Sequence, residues 1–192
     1  MNQWINMMSP RQEFDIKVFT ALLWDQIVEA ERAYNKISAN ENNGEVFSAI
    51  HHFLIHVSNI VKILQPSYEK YEKNEKEKAD QLKKRAERIF DSYPELPKID
   101  KKDIHIRNHL EHFDERIDAW IKNSKNHNFA DKNIGDVGPS QAIKGLDPKD
   151  SFRWFTPKEK TIYFADDKYN LEDLFNYVQG VKKGIMSPKV AK

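Results

Sequence analysis

Apolar positions recur at helical spacing between Arg11 and Ser38, at Phe14, Val18, Ala21, Leu22, Val28 and Ile37. Pro10 precedes the run and "NENNG" ends it. A second helix is predicted from about Glu45 to Leu64, halted before Pro66. Val46, Phe47, Ile50, Phe53, Val57, Ile60 and Leu64 leave it apolar on almost every side, as suits the central helix of a bundle. One polar seam interrupts it, formed by Ser48, His52, His56 and Asn59.

The stretch "YEKYEKNEKEKADQLKKRAERIF" alternates glutamate with lysine and is predicted helical over its second half, with a solvated charged face. Pro94 and Pro97 in "SYPELPKID" then forbid a continuous helix. A fourth helix is predicted from Asp103 to Asn123. The 27 residues from Ser124 to Asp150 are rich in Asn, Lys, Asp, Gly and Pro. A connection of that length tends to be a functional loop or disordered. Its "GDVGPS" lacks the Gly-Lys-Ser/Thr ending of a phosphate-cradling loop. After it the period changes. "FRWF" and "TIYF" read as two short strands of a hairpin around "TPKEK". Asn170, with Asp173 three residues on, marks the N-cap of a last helix ending near Gly184.

The predicted fold is mainly α: an antiparallel helical bundle of about four long helices, with a small C-terminal β-hairpin plus helix appendage. Residues 1–123 form the bundle, 124–150 a long polar loop, and 151–192 the hairpin and C-terminal helix packed on the bundle.

Composition narrows this picture. The 192 residues suffice for one domain with a real core, and 11 Phe, 7 Tyr and 4 Trp are too many for a disordered chain. Lys and Arg number 31 against 30 Asp and Glu, so the net charge of +1 supplies no whole-protein field for nucleic acid or membrane. Without cysteine there is no disulfide, thiolate metal site or cysteine nucleophile. No apolar run reaches the roughly 18 residues of a membrane span. "MNQWINMMSPRQEF" lacks the basic-then-apolar order of a signal peptide. A cytoplasmic protein with no membrane partner is expected.

Candidate chemistry concentrates in "IRNHLEHFDERIDAW", Ile106 to Trp120. On a helix, Ile106, Leu110, Phe113, Ile117, Trp120 and Ile121 share one arc of about 100°, the predicted core face. Arg107, Glu111, Asp114 and Asp118 run along one flank. Asn108, His112 and Glu115 lie on the other side, near His105, His109 and Arg116. The plainest reading is intrahelical pairing, Arg107 with Glu111 and His112 with Glu115 or Arg116, at about 0.2–0.5 kcal/mol per pair. A second reading is a metal site. His105, His109 and His112 follow one another at spacings of four and three, and His52 and His56 are four apart on another bundle helix. Neither helix carries the Glu-x-x-His pairing of carboxylate-bridged di-metal bundles, and Arg107 and Arg116 would set positive charge beside a cation.

The third reading is phosphoryl chemistry on RNA. Arg107, Asn108 and His112 form R-N-x-x-x-H, which resembles the R-x4–6-H motif of the HEPN superfamily of all-helical domains. In that motif the residue after the arginine is commonly polar, and the motif lies at the start of a late bundle helix. The resemblance covers this helix and the bundle architecture; the charged segment and hairpin tail match no general HEPN pattern. It implies a metal-independent endoribonuclease of a toxin or defence type, needing no cofactor, with RNA as substrate and a cognate antitoxin as a candidate partner. Arg107 would bind phosphate, since its forked guanidinium matches phosphate oxygens. His112 would handle the proton, and Asn108 would orient it. His109, Glu111 and Glu115 would stand in support. On one continuous helix Arg107 and His112 lie about 140° apart, too far to serve one phosphate easily. The resemblance implies a homodimer through helix 103–123, in which Arg107 of one chain meets His112 of the other. HEPN domains also include noncatalytic dimerisation and partner-binding scaffolds, so a non-enzyme alternative stays open.

Overall fold

In the computed structural model, residues 10–39, 42–100, 112–125, 127–164 and 167–189 are described, and they contain six α-helices and four β-strands. Helices α1 (Pro10–Ala39) and α2 (Asn43–Leu64) turn back on one another. Tyr34 packs on Phe53 near the turn, and Gln26 bonds to His56 and Asn59 further along, which fixes the pair as antiparallel. The Asn42 side chain accepts from the amides of Gly44 and Glu45, satisfying two N–H groups that the start of α2 leaves unpaired. At its other end α2 stops before Pro66. The Gln65 side chain there clasps the backbone N–H and C=O of Ile99, each at 2.9 Å.

The predicted face of α1 is corrected in part. Ile37 is buried as predicted, together with Ile16, Leu23, Ile27, Ala30 and Ala33, whereas Val18 and Leu22 are 42% and 45% exposed and Ala21 also faces water. Both stripes have helical spacing, so periodicity alone could not choose between them. The buried one shares its core with α2 and with the C-terminal helix.

Helix α3 (Lys76–Ser92) turns its charges outward as predicted, burying only Ala79 and Ile89. Arg85 reaches back to donate to the Lys62 carbonyl and lies over the Phe19 ring at 4.9 Å. Helix α4 (Phe113–Asn123) covers the second half of the helix predicted from Asp103 and ends where predicted. His112 is non-helical, with φ −108° and ψ 39°, and residues 101–111 lie outside the described residues. Phe113, Ile117 and Trp120 pack on the core as predicted, but Ile121, assigned to the same face, is 55% exposed.

The tail contains more than the predicted hairpin. Strands β1 (Asn133–Ile134), β2 (Trp154–Thr156), β3 (Thr161–Phe164) and β4 (Asp167–Asn170) form one sheet in that order. The predicted hairpin is β2 and β3, and β4 extends it antiparallel. Strand β1 runs parallel to β2, pairing Asn133 with Trp154 and Ile134 with Phe155. It arises within the stretch predicted to be a long loop, which also holds a single helical turn, α5 (Pro139–Ala142). Helix α6 (Leu171–Ile185) is capped by Asn170, as predicted. It packs on α1, where Gln179 and Lys182 both donate to Glu31 and Phe175 stacks on Tyr34 at 4.0 Å. Phe155, Ile162, Phe164 and Tyr169 of the sheet share one apolar core with α1, α2 and α6. Helix α2 is long and apolar enough to cross a membrane by length and composition. Yet 56% of its most apolar window is buried inside the fold, as in the core helix of a bundle.

Candidate functional site at the start of helix α4

Aromatic contacts fix the beginning of α4. The Phe113 ring meets Phe152 and Phe164 edge-on, with centroids 5.7 and 6.1 Å apart, and the Arg153 guanidinium lies over it at 4.8 Å. Asp131 holds Arg153 in turn, accepting from Nε at 2.7 Å and from a terminal nitrogen in a forked pair. At the far end of the helix, Trp120 Nε1 and Ser124 Oγ each donate to Oδ1 of the buried Asp150 at 2.8 Å. Ser124 Oγ also accepts from the His127 amide. A serine, an acid and a histidine thus sit together, but the serine bonds the carboxylate directly. The cluster is a clamp and not a nucleophile–base–acid relay, which needs the imidazole between the other two.

On this anchored helix His112 takes the N-cap position without making a side-chain cap bond. Its Nδ1 lies 3.3 Å from Glu115 Oε1, and both side chains are more than half exposed, so water screens the pair. The first-turn amides have no carbonyl partner within the helix, a setting that favours an anion. Asp114 and Glu115 already place negative charge in that turn, where the helix dipole favours it. Arg116 is exposed one turn on, its amide bonded to the His112 carbonyl at 3.1 Å.

Of the predicted catalytic set, His112 and Glu115 are placed together. Arg107, Asn108, His109 and Glu111 lie outside the described residues, as does His105. The separation of about 140° between Arg107 and His112 assumed helical backbone through both; the non-helical φ and ψ of His112 remove that constraint.

The remaining predicted metal ligands stand apart from this site on α2. His52 is exposed. His56 is half-buried, its Nδ1 2.9 Å from Gln26 Oε1, which also accepts from Asn59 Nδ2. Burial pulls the His56 imidazole below its ordinary pKa, against the opposite pull of Glu29 and with that of His52. Among the described residues no three or more His, Asp or Glu side chains group so as to hold a metal ion.

Sequence reasoning missed Arg153 and Asp150, which anchor the two ends of α4. Arg153 had a readable signal: a charge between Phe152 and Trp154 in a strand needs an acid wherever it turns inward. Asp150 had none, lying in a stretch already full of polar residues. No family model, no curated protein and no solved structure matches this chain.

Proposed function

We propose that this chain is a HEPN-like, metal-independent endoribonuclease of a toxin or defence type, acting in the cytoplasm as a homodimer with a composite Arg107/His112 site. The observation that carries the reading is an R-N-x-x-x-H pattern whose histidine stands in water at the non-helical start of an anchored helix. In the reaction, the RNA 2′-oxygen bonds to the adjacent phosphorus as its proton passes to a base. The bond to the 5′-oxygen breaks and that oxygen takes up a proton, leaving a 2′,3′-cyclic phosphate and a 5′-hydroxyl. His112 handles the proton, Asn108 orients it, and Arg107 of the partner subunit stabilises the phosphorane. Losing a preorganised donor of the last kind typically costs about 3–4 kcal/mol of barrier. His109, Glu111 and Glu115 support the site, and an antitoxin would silence it by covering His112.

The test is cleavage of end-labelled single-stranded RNA by pure protein in excess EDTA. Wild type runs beside Arg107→Ala and His112→Ala, with the oligomeric state of each measured. Wild type is expected to cleave, and each variant to lose about 100-fold or more while remaining dimeric. Cleavage that appears only with added zinc or manganese would hand the site to the histidine-liganded metal reading.

One observation favours a second reading, a noncatalytic scaffold that binds a partner. Val18 and Leu22, one turn apart on the longest helix, both face water. A dimer that cleaves no RNA under any of these conditions would make this the better account.

A further inference from the structure

A cavity of about 320 Å³ opens where the end of α1, the start of α2, β1, β2 and the β2–β3 turn meet. Its size lies within the range small-molecule sites occupy. Ile37, Val46, Ile134 and Phe155 supply apolar wall. Its polar lining is Tyr34, Ser38, Asn43 and Lys160. Tyr34 and Ser38 are one turn apart on α1, and the Tyr34 hydroxyl approaches the Lys160 ammonium. Lys160 carries the one formal charge among the described residues that line the cavity.

Lys160 also occupies an unusual backbone position. Its φ is +49°, in the left-handed region, at a point of a hairpin turn where glycine or asparagine is the common choice. The turn is held in place there: the Lys160 amide donates to the Pro157 carbonyl, and its carbonyl accepts from the Leu171 amide at 2.8 Å. The ammonium bonds Glu172 at 2.5 Å, but both side chains are well exposed, and such a pair is a weak reason to keep a lysine in a strained place. An ammonium has three N–H donors, so this bond leaves capacity for a further acceptor.

We propose that this cavity binds a small amphipathic carboxylate. The apolar body would lie against Ile37, Val46, Ile134 and Phe155, and the carboxylate would accept from Lys160, Ser38 and Tyr34. The Lys160–Glu172 pair is screened by water, so the ammonium's spare donors, with the two hydroxyls, match a carboxylate better than an amine, while the apolar wall disfavours a bare inorganic anion. The site is independent of RNA cleavage, so either can fail alone.

The test compares three probes that share one body: hexanoate, hexanol and hexylamine. Binding to the full chain is followed by titration calorimetry and by amide shifts in the NMR spectrum. Hexanoate is expected to bind in the millimolar range or tighter and to move the amides of Ile37 and Ile134. Hexanol should bind about tenfold more weakly and hexylamine not at all. Lys160→Gly suits the left-handed backbone, so it should keep or raise the melting temperature while abolishing the preference for hexanoate over hexanol. Failure of hexanoate to bind, equal binding of hexanol, or unchanged hexanoate affinity in Lys160→Gly would each overturn the proposal. So would shifts confined to residues away from the cavity.

Discussion

The α1–α2 pair and the stretch from α4 to β2 are both ordered, but opposite kinds of contact order them. Between α1 and α2 the work is done by area: Leu23, Ile27, Phe53, Val57 and Ile60 are almost wholly buried, with one polar layer at Gln26, His56 and Asn59. From α4 to β2 a small aromatic cluster around Phe152 is tied down by single polar groups. Asp150 ties Trp120 and Ser124 together, Asp131 holds Arg153, and the Val137 carbonyl accepts from Trp154 Nε1 at 2.9 Å. Apolar burial is additive and forgiving, because many contacts share it. A polar anchor is local, because removing one partner strands the other. The candidate site at His112 belongs to the second kind of structure, where rings packed at the edge of the core are pinned by a few polar groups.

The sharpest way to break this comparison is to damage each region once. Phe53→Ala removes a fully buried ring that touches Tyr34, and should lower the stability of the whole chain by about 3–5 kcal/mol in urea unfolding. Asp150→Ala leaves the Trp120 and Ser124 donors without their acceptor and should cost about 2–3 kcal/mol. Hydrogen exchange separates the two cases. Phe53→Ala should speed exchange throughout α1, α2 and α6, whereas Asp150→Ala should speed it in α4 and around Ala130 and Asn133 and spare α2. Equal loosening of α2 by Asp150→Ala would mean that the two regions are one cooperative unit, and the contrast would fall.

The same contrast explains what could be read from the sequence. Both ends of α2, its apolar character and its polar seam were legible, because a long buried helix writes its period many times over. The span of α1 was legible too, but not its whole buried face, since Val18 and Leu22 imitate a core stripe yet stay 42% and 45% exposed. The non-helical backbone of His112 left no trace, as the apolar spacing from Ile106 to Trp120 in the sequence carries no break there. Strand β1 has two residues, too few for any alternation to show. The anchors at Asp150 and Asp131 are pairings across 22 to 30 residues of sequence, and one chain alone does not reveal such partners. For the candidate site, the motif and the exposure of His112 come from different sources, and only the first was readable.

A smaller effect sharpens the account of the polar region, since its glycines also act through contact. A Cβ on Gly135 would lie 2.8 Å from Cζ2 of Trp154, closer than carbon atoms tolerate. Gly135→Ala should therefore push the indole away and weaken its bond to the Val137 carbonyl, at a cost of about 1–2 kcal/mol. Altered Trp154 fluorescence with unchanged helical circular dichroism is the expected result. An alanine variant as stable as wild type, with the same fluorescence, would show that the β1 region is looser than this packing implies.

The smallest effect concerns the one polar layer in the apolar pair. His56 is held below its ordinary pKa of 6.5 chiefly by burial, with His52 adding to the shift and Glu29 opposing it. The folded chain therefore favours the neutral imidazole, while the unfolded chain takes up a proton as pH falls through about 6.5. Where the unfolded state binds more protons, stability rises with pH. The contribution of His56 is thus fully present above its unfolded pKa and is lost progressively below it, towards the lower folded value. Urea unfolding at about pH 7.5 and about pH 5.5 should show wild type losing more stability on acidification than His56→Gln, by less than any change above. The comparison with the glutamine variant isolates this group from the carboxylates elsewhere. If wild type instead loses less than the variant, Glu29 outweighs burial, and the layer joining α1 to α2 is an ion pair in acid rather than a neutral hydrogen-bonded one.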